Sequence, residues 1–105
     1  MSSTFLQVDP INASALGDNT LVAAVAGKQI HVHKIWYVVA ADVNTILKHG
    51  STNFHPVVSM KASGSLVLDF DEHPWFVTAA GEDFILNLSA AVQVSGMVYY
   101  RTQDK

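Results

Sequence analysis

The chain has no cysteine and only six lysines and arginines in its 105 residues. The first absence excludes disulfides, thiolate metal sites and thiol nucleophiles. The second leaves Lys28, Lys34, Lys48, Lys61, Arg101 and Lys105 scattered along a chain of net charge −3, which argues against a surface that tracks nucleic-acid phosphates. Long apolar runs are also missing. The longest, Ile35 to Ala41, falls well short of the roughly 18 residues a membrane-spanning helix needs. The segment Met1 to Pro10 carries neither the basic stretch nor the apolar run of a secretion signal, so a soluble chain without a membrane partner is expected.

What remains is apolar. Half of the residues are hydrophobic, 14% are charged and the mean hydropathy is +0.24, which fits one folded domain rather than a disordered chain. So few charges cannot cover a monomer of this size, and part of the apolar surface is expected to meet a partner.

Val, Ile, Thr and aromatic residues cluster in short runs separated by Gly, Asp, Asn, Ser and Pro, the pattern of strands joined by turns. The runs are Thr20–Ala26, Gln29–Ala41, Asn44–Lys48, Phe54–Lys61, Ser65–Phe70, Trp75–Thr78, Asp83–Ser89 and Val92–Thr102. Turn signals every ten residues or so suit an antiparallel sandwich or barrel. In the last run Val92, Val94, Gly96, Val98 and Tyr100 share one face, while Met97 and Tyr99 break the polar character of the other. The second run reads as apolar on both faces, with Ile30, Val32, Trp36 and Val38 on one and Ile35, Tyr37 and Val39 on the other. A sandwich strand of that kind is expected either under a covering loop or at an interface. Ile35, Tyr37, Val39, Met97 and Tyr99 are therefore the expected subunit contacts of a homotrimer. Residues 1–18 read instead as an extended arm ahead of a domain over 19–105, with Phe5, Leu6, Val8 and Ile11 as anchoring side chains.

Chemistry-bearing residues are sparse. His31 and His33 occupy alternate positions of a strand, about 6.5 to 7 Å apart, and two imidazoles can grip one ion. Zinc needs three or four ligands, and nothing in the spacing makes His49, His55, His73, Asp69, Asp71 or Glu72 converge on them. The segment Asp69-Phe-Asp-Glu-His-Pro-Trp75 gathers carboxylates and a histidine on a turn, where such residues are usually solvated. No nucleophile elbow or phosphate-binding loop is present. No catalytic residue, metal site or cofactor is expected, and the chain does not read as an enzyme. Of the aromatic pairs Trp36/Tyr37, Trp75/Phe76 and Tyr99/Tyr100, one member of each is expected in the core and the other on a surface, where stacking on a carbohydrate would be an alternative use.

Three segments taken together resemble small all-β virion proteins of tailed bacteriophages. They are Leu21-Val-Ala-Ala-Val-Ala-Gly-Lys-Gln-Ile-His-Val32, then Ser65-Leu-Val-Leu-Asp-Phe70 leading to Trp75-Phe-Val-Thr-Ala-Ala-Gly-Glu82, then Leu86-Asn-Leu-Ser-Ala-Ala-Val-Gln-Val-Ser-Gly-Met-Val-Tyr-Tyr100. The resemblance covers about residues 19 to 101. It implies an antiparallel eight-stranded jelly-roll sandwich, often trimeric, placed on the capsid exterior after assembly in the host cytoplasm. The implied function is that of a decoration (cement) protein that bridges major capsid protein subunits, with the N-terminal arm on the capsid. The head of a tail fibre or tail tip is the alternative, and a cupin-like metal-binding protein using His31 and His33 a third. Gly64-Ser65 stands where that pattern commonly has two glycines, and Asp71-Glu72-His73 is more acidic than the pattern.

Overall fold

A computed structural model describes residues 6–69 and 76–104, with the backbone alone at residue 104. Ten strands follow one another: β1 (Gln7–Ala13), β2 (Gly17–Val22), β3 (Lys28–Val39), β4 (Val43–His49), β5 (Thr52–Asn53), β6 (Val58–Met60), β7 (Ser65–Asp69), β8 (Phe76–Val77), β9 (Phe84–Leu88) and β10 (Val94–Asp104). Among the described residues there is no helix. The strands form two antiparallel sheets. The first has the order β1-β10-β3-β7 with β8 also on β3, and the second the order β2-β9-β4-β5 with β6 also on β4. Their inner faces meet in one core, a sandwich-like arrangement.

Local chemistry explains where the strands differ from the expected runs. The run Phe54–Lys61 shrinks to β6, since Pro56 has no N–H for a ladder. The His55 ring bonds locally instead, with its Nδ1 2.6 Å from the Pro56 carbonyl and its Nε2 accepting the Leu47 N–H at 3.2 Å. That assigns the hydrogen to Nδ1. The run Thr20–Ala26 starts earlier and stops sooner. Asn19 closes the turn ahead of it, through the Ala15 carbonyl at 2.8 Å and the Ala15 N–H at 3.2 Å, while the alanines from 23 onward offer little to bury.

The expected arm is corrected by the pairing of its described part. Residues 7–13 lie antiparallel to β10 in unbroken register from Gln7↔Tyr100 to Ala13↔Val94. Ile11 and Ala13 are buried in the core, and Asp9 accepts the Tyr100 hydroxyl at 2.9 Å. No boundary falls at residue 18, because β2 begins at Gly17. Pro10 gave the segment its unstructured look, yet an edge strand tolerates proline where the missing N–H would face away from the ladder.

The long strand β3 holds the second correction. Its register against β10 slips between Tyr99 and Tyr100, which pair with Lys34 and Val32, so His33 is an extra residue. A one-residue slip reverses the face of every side chain beyond it. Ile30 and Val32 before the bulge and Ile35, Tyr37 and Val39 after it therefore all point into the core, and all are fully or almost fully buried. The bulge regroups the two expected faces: the inner one holds Ile30, Val32, Ile35, Tyr37 and Val39, and Trp36 and Val38 are left on the outer one.

One side-chain contact ties the two sheets together, and one glycine allows the close approach of two strands within the first. Tyr37 of the first sheet reaches Thr45 of the second, with the two oxygens 2.8 Å apart, and the Thr45 hydroxyl lies 3.6 Å from the Met60 sulfur. Since Thr45 has a single hydrogen and points it at the sulfur, the Tyr37 hydroxyl donates to Thr45. Burial raises the Tyr37 pKa. Opposite Tyr37 sits Gly96. A Cβ there would overlap the Trp36 carbonyl oxygen and come within 2.7 Å of the Tyr37 Cα, so β10 can approach β3 only without a side chain at this position.

Candidate functional site

The two outer faces of the sandwich differ in kind. On the second sheet Asp18, Asn87 and Ile46 lie in one row and Thr20, Ile85 and Lys48 in the next. The Asp18 carboxylate accepts from Asn87 Nδ2 at 2.7 Å and from Lys48 Nζ at 3.3 Å. Its pKa is lowered, chiefly by the Asn87 bond and further by Lys48, against the opposing effect of burial. Ile85, the one apolar residue out of step in β9, is buried here between Thr20 and Lys48 on the flanking strands.

On the first sheet the register sets out three rows across β1, β10, β3 and β7: Asn12, Ser95, Val38, Ser65; then Pro10, Met97, Trp36, Val67; then Val8, Tyr99, Lys34, Asp69. The middle row is apolar from edge to edge. Val67 is 60% exposed, Val8 42% and Val38 38%, and Met97, Trp36 and Tyr99 are half-buried. The charged pair Lys34 and Asp69 lies at one corner, with the Lys34 ammonium 5.5 Å from the centre of the Tyr99 ring. Apolar residues scattered singly on a surface are ordinary, but a contiguous row of them is a feature of surfaces that meet a partner.

Of the expected subunit contacts, Met97 and Tyr99 lie on this face, whereas Ile35, Tyr37 and Val39 have no exposed surface and belong to the chain's own core. The bulge at His33 is the physical reason. Of the expected capsid-binding residues, Val8 is on the face and Leu6 is exposed beside it, while Ile11 is buried; Phe5 lies outside the described residues. Each of two aromatic pairs splits between the faces: Tyr99 is outward and Tyr100 buried, while Trp36 is outward and Tyr37, expected at a subunit contact, is buried. Phe76 stacks on Phe54 at 4.5 Å, and Phe54 contacts Phe84 and the ring of His49. His49 Nδ1 donates to Glu82 at 2.5 Å, so this end of the sandwich is a packed plug capped by a hydrogen bond.

His31 and His33 are not brought to a common ligand set. His31 stands opposite Arg101 and Val77, and its pKa is lowered by burial and then by the neighbouring His33. His33 sits buried at the bulge. Among the described residues no group of three or more histidines and carboxylates gathers closely enough to hold a metal ion, and no helix is long and apolar enough to cross a membrane. Asp71, Glu72, His73 and Trp75 lie outside the described residues. Nothing in the sequence marked the outer face as one surface, because its members come from four strands and only the register aligns them. Comparison with protein-family models, with curated proteins and with solved structures finds no match.

Proposed function

We propose that the chain is a structural protein of a bacteriophage virion, a capsid decoration protein with a jelly-roll fold that binds the shell through the outer face of its first sheet. The observation that carries the reading is the apolar row Pro10, Met97, Trp36 and Val67 with its neighbours Val8, Val38 and Tyr99. This surface is separate from a core that is already closed, so folding does not need it and binding can use it. The strand order supports the jelly-roll reading. If β5 with β6, and β7 with β8, are each one interrupted strand, eight strands remain in two sheets of four, and the chain passes repeatedly from one sheet to the other. The order of the sequence motifs supports the virion reading.

The role is mechanical. A shell is held by many weak contacts, and a small protein seated across neighbouring subunits adds its own binding energy with an avidity gain. Burying the surface that Val8, Val38 and Val67 still expose contributes on the order of 1 kcal/mol for each, before the costs of ordering and association are subtracted.

The test is to mix the protein with undecorated phage heads, pellet them and measure bound copies by gel densitometry. Val8→Lys and Val38→Lys are expected to reduce bound copies at least about tenfold, as a loss of about 1.4 kcal/mol implies, with melting temperature little changed. Thr20→Lys, on the opposite face, is expected to bind like the parent. Equal loss from both faces, or no binding by the parent chain, would overturn the proposal.

A further inference from the structure

The free edges of the two sheets are not equally guarded. An exposed strand edge is a template for pairing with another chain, and proteins blunt it with proline, bulges, charge or brevity. The alternation of backbone bonds shows which residues face each edge. The Val39 N–H donates to the Gly64 carbonyl on the β7 side, and the Ala40 N–H donates to the Gln93 carbonyl on the β10 side. Continued along β3, this turns residues 35, 37 and 39 toward β7 and residues 34, 36 and 38 toward β10. Across β10 the same alternation leaves Val8, Pro10 and Asn12 of β1 facing outward. Pro10, with no N–H, thus sits in the middle of that edge. On the second sheet β2 is broken by a register shift between Thr20 and Val22, and β5 and β6 have two and three residues.

The β7 edge has none of these devices at its centre. Leu66 and Leu68 lie opposite Tyr37 and Ile35 and use their backbone groups on β3, so Ser65 and Val67 turn theirs outward. Among the described strands none lies beyond β7. The sequence Ser65-Leu-Val-Leu-Asp69 reads nearly the same in both directions. A second copy laid antiparallel about a two-fold axis at Val67 sets Val67 against Val67, Leu66 against Leu68 and Ser65 against Asp69. Each leucine stays on its core side and each valine meets its twin on the outer face. The small-to-acidic pairing at the ends allows the Ser65 hydroxyl to donate to a carboxylate.

We infer that two copies of the chain join edge to edge through β7, in antiparallel register about Val67. The contact is isologous, so it closes at two copies. It makes the apolar rows of the two outer faces continuous, running Pro10, Met97, Trp36, Val67 and then the same residues reversed. Five paired residues bury on the order of a few hundred Å² per partner, below the roughly 800 Å² per partner of stable complexes. The pairing is therefore weak in dilute solution and takes hold when copies are held side by side. That last step rests on the shell-binding reading; the pairing itself does not.

The lack of native cysteine gives a clean test with the full chain. Val67→Cys places two thiols on residues about 5.5 Å apart between Cα atoms, within disulfide reach. Ser65→Cys places them about 14 Å apart, out of reach. Under mild oxidation at high protein concentration, Val67→Cys is expected to give a species of twice 11.4 kDa at least about tenfold faster than Ser65→Cys, the margin set by those distances. Equal rates, or faster linkage through Ser65, would overturn the register. Val67→Pro removes an edge N–H that β3 does not use, so it is expected to keep the parent's spectrum and melting curve while weakening self-association at least about tenfold in sedimentation equilibrium. A parent chain monomeric at about 1 mM, or a trimer that Val67→Pro leaves intact, would overturn the pairing. Either result leaves the head-binding assay with Val8 and Val38 unaffected, so the two proposals fail separately.

Discussion

The outer faces of the two sheets are built on the same core and spend their side chains in opposite ways. The face of the second sheet satisfies itself: Asn87 and Lys48 both donate to Asp18, and the Asn44 N–H donates to the Ser89 hydroxyl at 2.9 Å. The face of the first sheet leaves Val8, Val38 and Val67 exposed beside Trp36 and Met97. Neither face is required to close the core, so the difference concerns what each surface meets. A polar network lowers the gain from docking, because its bonds to water and to itself must be replaced. An apolar row has nothing to replace.

The comparison can be broken most strongly from beneath. Gly96→Ala pushes a methyl group into the backbone of β3 and disturbs the first sheet alone. Overpacking costs about 1 to 3 kcal/mol and occasionally more, and contact with backbone rather than a flexible side chain places this case at the upper end. At about 4 to 8 °C per kcal/mol for a chain of this size, thermal unfolding should fall by roughly 12 °C or more. Amide exchange should quicken first in β1, β10 and β3.

Tyr37→Phe cuts the hydroxyl tie between the sheets without changing their faces. One buried hydrogen bond is worth about 1 kcal/mol, and urea unfolding should register that loss with an unchanged slope. Binding to heads should stay as in the parent, since Tyr37 is in the core; a binding defect would mean that the apolar face depends on how the sheets are clamped.

Alkali separates the faces by another route. Burial, then the bond to Asp9 and its charge, push the Tyr100 pKa up to about 12. A phenol whose folded pKa exceeds its unfolded value of 10.0 disfavours ionisation in the folded state. Its contribution is complete below about pH 10 and is lost as the pH rises toward 12. Stability is expected to decline across that window, and Tyr100→Phe should remove that part of the decline. Tyrosinate absorbance and unfolding measured together check it, and β1, tied by Asp9, should loosen before the second sheet.

The smallest effect belongs to the polar face. The lowered Asp18 pKa stabilises the folded state above the unfolded value of 3.8, and the contribution is lost as the pH falls through the folded value. Asp18 is half exposed, so solvent screening holds the worth of the pair to the low end of about 0.2 to 1 kcal/mol. Asp18→Asn should therefore melt slightly earlier than the parent at neutral pH and alongside it in strong acid.

Much of the architecture was legible in the chain because local chemistry decides it. The apolar alternation of Phe84, Leu86 and Leu88, the turn at Gly27 with its positive φ of 76°, and the β-rich run from Gln29 each survive as β9, a turn and β3. Residues 7–13 were illegible because Pro10 and Asp9 imitate a loop, and only an edge position and the Tyr100 hydroxyl make them compatible with a strand. The candidate surface was half legible. Met97 and Tyr99 stood out as apolar residues on a polar strand face, but Val67 and Pro10 carry no mark of their own.

By itself the sequence determined that strands would form, roughly where they would turn, and that cysteine chemistry, a basic face and a long apolar span were excluded, since these depend on residue type and short-range spacing. The tertiary structure alone decided which residues of β3 lie inside along its whole length. Side-chain direction reverses with every residue, so one unpaired residue at His33 moves Ile35, Tyr37 and Val39 from an expected interface into the core. That slip is fixed by pairing with β10, more than sixty residues away in the chain, where no local pattern can record it.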